Sequence, residues 1–151
     1  MNSARLFEDL KRDEGIKYEI YLDHLKLCTF GIGHLITPED SEYGKPVGTK
    51  VTQARVMTAF TEDVKRAVYG CRSVYGEKFD LWPDEVQEIL VNMCFNMGPG
   101  GLAKFKKFKE ALEKHQWAKA AEEGRDSRWH KQVPNRAERL MQRLEGIEKN
   151  S

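Results

Sequence analysis

A chain of 151 residues, 40% hydrophobic and 32% charged, has the length and composition of one folded domain with a real core, which excludes a disordered or fibrous polymer. The net charge of +1 hides an asymmetry: residues 1–100 carry 12 Lys/Arg against 16 Asp/Glu, a net of −4, and residues 101–151 carry 13 against 8, a net of +5. A basic C-terminal third suits an anionic polymer such as nucleic acid or cell wall, although solvated helix faces produce the same pattern.

The opening stretch MNSARLFEDLKRDEG has no apolar segment of the kind a signal peptide needs, and no apolar run approaches the ~18 residues of a membrane span. The expectation is synthesis in a cytoplasm, with no signal peptide and no membrane insertion. Ser3 can cap a first helix whose apolar positions are Leu6, Phe7 and Leu10, and Gly15 offers its stop. Glu14 falls four residues after Leu10 and seven after Phe7, on the apolar side, where an ionised carboxylate is costly and its pKa should rise. Residues 17–22 and 27–34 read as two strands rich in Tyr, Ile, Leu, Phe and Thr, joined by a turn holding His24, Leu25 and Lys26. Gly31 and Gly33 inside the second strand indicate close approach by backbone or ligand.

From Thr52, a candidate cap, the period changes to 3.6, with Val56, Phe60, Val64 and Val68 four apart in a helix running to about Arg72. A strongly apolar helix starts near Pro83 and carries Val86, Ile89, Leu90, Met93, Cys94 and Met97 before Gly98-Pro99-Gly100-Gly101 ends it. Its methionines read as core filler. Shorter amphipathic helices follow at about 102–114, 116–123 and 135–147. Cys28, Cys71 and Cys94 have no CxxC spacing, and Cys28 and Cys94 lie in apolar sequence, which points to buried reduced thiols and not to a disulfide scaffold or zinc site. The fold class is α+β: a small N-terminal antiparallel β-sheet lobe and a larger C-terminal helical lobe, linked by a long helix. The lobes are expected at about 14–51 and 73–151, with the linking helix at 52–72 and helix 3–13 packing on the helical lobe.

Two carboxylates stand out in this frame. Glu14 ends a helix on its apolar side, and Asp23 ends a strand beside a polar turn. Glycosidic hydrolysis uses such a pair in unlike environments, one protonated to serve as acid and one ionised to serve as base or nucleophile. Thr29 on the neighbouring strand can hydrogen-bond an attacking water.

DEG at 13–15, Asp23, Thr29 and GIGH at 31–34 together resemble the phage-type lysozymes, the muramidases of T-even and other tailed phages. TEDVKRAV (61–68), NMCFNMG (92–98), SRW (127–129) and PNRA (134–137) continue the resemblance in the same order over almost the whole chain. The resemblance implies Glu14 as general acid, Asp23 as the carboxylate supporting the attacking water and Thr29 as its positioning hydroxyl. It also implies saccharide contacts at Leu35, Phe95, Asn96, Phe108, Glu123 and Arg128, and a structural His34–Asp63 pair with no metal and no cofactor. The partner it implies is bacterial peptidoglycan, cut at the β-1,4 bond between N-acetylmuramic acid and N-acetylglucosamine by a monomer. The enzyme would be made in the host bacterial cytoplasm as an endolysin and reach the wall by holin-type release.

Four departures from the family pattern bear on this expectation. Lys26 stands where the family turn has glycine, Leu25 where T-even enzymes have glutamate, and Phe108 and Glu123 where they have serine and asparagine. Lys26, Leu25 and Glu123 motivate an alternative, a weakly active or inactive lysozyme-like protein that binds wall or sits in a virion. A nucleic-acid module built on the basic stretch 125–143 is disfavoured because Glu122, Glu123, Asp126 and Glu138 interleave with its cations.

Overall fold

The computed structural model describes residues 1–149. Its elements run α1 (Ser3–Glu14), β1 (Lys17–Leu22), β2 (Cys28–Gly31), β3 (His34–Leu35), α2 (Gln53–Tyr75), a 3₁₀ turn (Gly76–Leu81), α3 (Asp84–Ala103), α4 (Lys106–Glu113), α5 (Trp117–Arg125), α6 (Arg128–Gln132) and α7 (Pro134–Lys149). The α+β class is borne out: among the described residues there is one three-stranded antiparallel sheet, ordered β1-β2-β3, and the other regular elements are helical. Contacts divide the chain into two compact units, Phe7–Arg66 and residues 1–6 with 67 onward. The division thus cuts α1 after Leu6 and α2 after Arg66, where sequence expected boundaries at 51 and 72 and all of the first helix with the helical lobe.

In the sheet-bearing unit, Ile20, Phe30, Val51, Val56 and Ala59 form the core, with Ile16 and Ile36 packed against them. The expected second strand, 27–34, is in fact two strands reversed about Gly31-Ile32-Gly33. Gly31 and Gly33 take φ of +64° and +63°, left-handed values that an L side chain resists, so the chain folds back and pairs Phe30 with His34. Beyond the sheet, Ile20 N–H donates to Thr49 O at 2.9 Å and Val51 N–H to Tyr18 O at 3.0 Å, so the segment before α2 covers the other edge of β1.

Asn2, not Ser3, caps α1: its Oδ1 accepts from Arg5 N–H at 3.0 Å. Thr52 caps α2 as expected, accepting from Arg55 N–H at 3.1 Å, and Val56, Phe60 and Val68 are buried along it.

In the helical unit, α3 is the centre, with Val86, Ile89, Leu90, Val91 and Met93 fully buried. The apolar helical segment ends at Gly98, as the sequence predicts, with φ +75° and ψ 167°, and a second short segment runs from Pro99 to Ala103, because proline suits the first turn of a new helix. α6 has only five residues and was not legible as a helix; the Ser127 side chain caps it by accepting from His130 N–H. Trp82 meets Trp117 edge-to-face at 6.2 Å, and Phe105 meets both Phe108 and Trp129. Cys71 and Cys94 are buried thiols in mutual hydrogen bond, and that bond and burial push the Cys71 thiol up. Cys28 is exposed, contrary to expectation, since it opens β2 at the outer end of the hairpin. Among the described residues no helix is long and apolar enough to cross a membrane.

Candidate active site

Glu14 is the last residue of α1, and Gly15 at φ +77° stops the helix, its N–H donating to Lys11 O at 2.8 Å. The half-buried Glu14 side chain packs against the backbone of Gly33: a Cβ there would lie 2.8 Å from Glu14 Oε1. The close approach that sequence inferred at Gly33 is therefore made by the Glu14 carboxyl, and at Gly31 by Val56.

Asp23 organises the hairpin between β1 and β2. Its Oδ1 accepts from Leu25 N–H at 2.8 Å and Leu27 N–H at 2.9 Å, and its carbonyl accepts from Lys26 N–H at 2.9 Å. These donors fix the direction of the carboxylate from within the turn. Lys26 takes the left-handed φ of +64° that a glycine would hold without strain. Thr29 is 3% exposed and donates its hydroxyl proton to Leu27 O at 2.9 Å. Toward anything else, that oxygen can only accept.

Glu14, Asp23 and Thr29 line one cavity of about 370 Å³, together with Asp13, Lys17, Tyr21, His24 and Gly33. Sequence had not marked Lys17 or Tyr21. The signal was there in a lysine four residues before a tyrosine on the strand that leads to Asp23. The Lys17 ammonium sits over the Tyr21 ring, 4.3 Å from its centroid. Burial raises the Tyr21 phenol above the ordinary tyrosine value, and the charges of Glu14 and Asp23 raise it further.

His34, 3% exposed, places Nδ1 2.7 Å from Asp63 Oδ2, the pair that sequence had named. Its Nε2 lies 2.9 Å from Asp40 Oδ2, which sequence had missed. Arg55 then bridges Asp40 and Glu42, and Arg66 bonds Asp63. The one available signal for Asp40 was its place three residues after Thr37, whose N–H donates to it at 2.8 Å. Burial alone would lower the His34 pKa, but the hydrogen bonds and charges of Asp63 and Asp40 outweigh it and the net shift is upward. With a carboxylate on each ring nitrogen, the imidazolium form donates to both.

The remaining candidates lie elsewhere. Leu35 is 48% exposed on β3. Phe95 is half-buried near the middle of α3, and the exposed Asn96 accepts from Trp129 Nε1 at 2.9 Å, so that oxygen is engaged within the helical unit. Glu123 and Arg128 line a separate cavity of about 630 Å³ in that unit, with Phe105 and Trp129. Phe108, also expected as a saccharide contact, lines the same cavity and is 1% exposed, its ring packed into the core.

The geometry agrees with comparison to known proteins. The family model described as phage lysozyme matches residues 11–147. This chain belongs to the phage lysozyme family. It is 30% identical to the Dictyostelium discoideum protein named probable T4-type lysozyme 2, covering 91% of this chain and 92% of that one. A second, probable T4-type lysozyme 1, is also 30% identical, with 90% and 91% covered. The pre-baseplate central spike protein Gp5 of Enterobacteria phage T4 is 32% identical over 88% of this chain, which spans only 26% of that longer protein.

Proposed function

We propose that this protein is a muramidase that hydrolyses the β-1,4 bond between N-acetylmuramic acid and N-acetylglucosamine in bacterial peptidoglycan. The observation that carries the reading is the meeting of Glu14, Asp23 and Thr29 on one cavity, with Gly33 bringing backbone hard against the Glu14 carboxyl. Glu14 is the general acid: it delivers its proton to the glycosidic oxygen as the bond to the anomeric carbon breaks. The Thr29 hydroxyl already donates its hydrogen bond to Leu27 O, so it holds the attacking water only by accepting from it. The second water hydrogen points to Asp23, which takes that proton as the water oxygen bonds to the anomeric carbon. A water held by its two hydrogens presents a lone pair to the sugar, and its attack on the face opposite the leaving group inverts the configuration.

Leu35, Phe95, Asn96, Glu123 and Arg128 are proposed as further wall contacts, and His34 with Asp63 as a structural pair. Family membership supports release at lysis as an endolysin, with the exit route supplied by a holin-type pore. The likeness to a phage spike protein favours a second setting, a lysozyme carried in a virion. The test of the chemistry is turbidity clearing of a peptidoglycan suspension by the wild type and by Glu14→Gln. Wild type is expected to clear it and the variant to lose activity by a factor of at least ~10²; equal rates would remove Glu14 from the mechanism.

A further inference from the structure

We propose that Cys71 and Cys94 are a redox pair: two buried thiols that close to a disulfide in oxidising surroundings and staple α2 to α3 within the helical unit. The place where this happens, outside the cytoplasm, rests on the muramidase reading above; the pairing itself does not.

Both residues lie in the core of the same compact unit, Cys71 0% and Cys94 4% exposed. Gly70 is what brings their helices together. A Cβ at that position would lie 2.8 Å from Cys94 Sγ and 3.3 Å from the Cβ of Pro99, so a side chain there would push α3 away from the backbone of α2. A disulfide needs this kind of approach, with Cα atoms roughly 4.4–6.8 Å apart. Cys71 is the next residue along α2, and its thiol shares a hydrogen bond with that of Cys94. Tyr75, one turn further on, buries its hydroxyl without a hydrogen-bond partner, so the phenol ties up neither sulfur. Isolated core cysteines behave as small hydrophobes. Here thiol meets thiol, and chemistry beyond packing is open to the pair.

The step balances with a disulfide as co-reactant. The hydrogen bond from Cys71 favours the Cys94 thiolate, which attacks one sulfur of an external disulfide; that S–S bond breaks and one thiolate leaves. Cys71 loses its proton and attacks the Cys94 sulfur of the mixed disulfide, and the second external thiolate leaves. The two protons given up by the cysteines go to the two leaving thiolates, so one external disulfide is reduced to two thiols as one protein disulfide forms. In a cytoplasm that keeps thiols reduced the pair stays open, and outside it the bond persists. Closing the loop from Cys71 to Cys94 removes conformations from the unfolded chain, so the oxidised form resists unfolding better.

The exposed Cys28 is first replaced, as Cys28→Ser, so that it forms no bond between molecules. The folded variant is held a little below its thermal midpoint, where local opening admits reagents, with oxidised glutathione in one arm and dithiothreitol in the other. Intact mass, free thiols counted after denaturation and the thermal midpoint are then read. The oxidised arm should lose two hydrogens and both thiols, retain no glutathione, and melt about 5–10 °C above the reduced arm. Cys71→Ala in the same background should show no such rise between its own two arms, whatever its starting stability. Thiols that stay free, a stable glutathione adduct, a disulfide without a higher midpoint, or an equal rise in the Cys71→Ala control would each overturn the inference. Equal clearing of peptidoglycan by wild type and Glu14→Gln would remove the muramidase reading instead and leave the thiol result standing.

Discussion

Lys26 and Gly33 show how much of the site depends on single backbone angles. A lysine at φ +64° costs about 1 kcal/mol relative to glycine, yet the turn holds it. Three hydrogen bonds to Asp23, two on Oδ1 and one on its carbonyl, offset that strain, and the two on Oδ1 aim the carboxylate. The turn thus accommodates a lysine where the family pattern has glycine. Gly33 has no such latitude. A methyl group there meets Glu14 Oε1 at 2.8 Å and also sits at φ +63°. Gly33→Ala should therefore lower turnover by about tenfold to a hundredfold through displacement of the acid, while costing only about 1–2 kcal/mol of stability. Clearing assays beside urea unfolding separate the two effects; unchanged turnover would mean that Glu14 swings clear without consequence. Sequence could flag both glycines of GIGH as points of close approach, but it could not say which group would approach, because Glu14 is 19 positions away along the chain.

The turn between β2 and β3 is the element that sequence misread. Periodicity sees apolar residues from Leu27 to His34 and joins them, whereas two left-handed glycines reverse the chain between Phe30 and His34. That reversal carries the buried His34 into a cluster with Asp40, Asp63, Arg55, Glu42 and the exposed Arg66. The His34 pKa is raised on folding, so its contribution to stability is complete below the unfolded value of about 6.5 and is lost as pH rises through the folded value. Asp40 has the opposite sign. Burial would raise it, but the Thr37 N–H, His34 and Arg55 together lower it, so its contribution is present above the ordinary aspartate range and is lost as pH falls through the folded value. The cluster stabilises the sheet-bearing unit most strongly between these limits, in mildly acidic solution. Urea unfolding at pH 5, 7 and 9 should show stability declining toward alkaline pH in the wild type. His34→Asn should be less stable at pH 5 and should lose that decline; parallel profiles would count against His34 as its source.

At the scale of the molecule, the first residues of the chain belong with its second half. Glu88, whose side chain is fully buried in α3, receives Arg5 Nε at 2.6 Å, Arg5 Nη2 at 2.8 Å and the Asn2 N–H at 2.9 Å. Burial would raise its pKa, but Arg5 and the Asn2 N–H outweigh burial and hold it below the ordinary glutamate value. Glu88→Ala removes these bonds and leaves the N-terminal turn tied to α3 by the Met1 ammonium on Asp84. Arg5 is half-exposed and can turn to water, so the loss should be roughly 2–3 kcal/mol rather than the full cost of a stranded buried charge. A thermal or urea midpoint equal to wild type would show that the Glu88 bonds carry no stability. Nothing in the helical periodicity of α1 marks Arg5 for this task, since an exposed arginine and one bonded to a residue 83 positions away read alike.

The sequence by itself determined the fold class, the order of the main helices and the family, because these rest on periodicity, caps and motifs spaced within short stretches. It also marked Glu14, Asp23 and Thr29, since a carboxylate on an apolar face and a glycine-punctuated strand are local signals. Only the tertiary structure decided what surrounds them. Gly33 against Glu14, Lys17 upon Tyr21, Asp40 on the far nitrogen of His34 and the burial of Phe108 are all set by packing between side chains. Such contacts leave no period in the sequence, because each depends on where the chain turns back, and that is fixed by a few backbone angles at glycine and at Lys26.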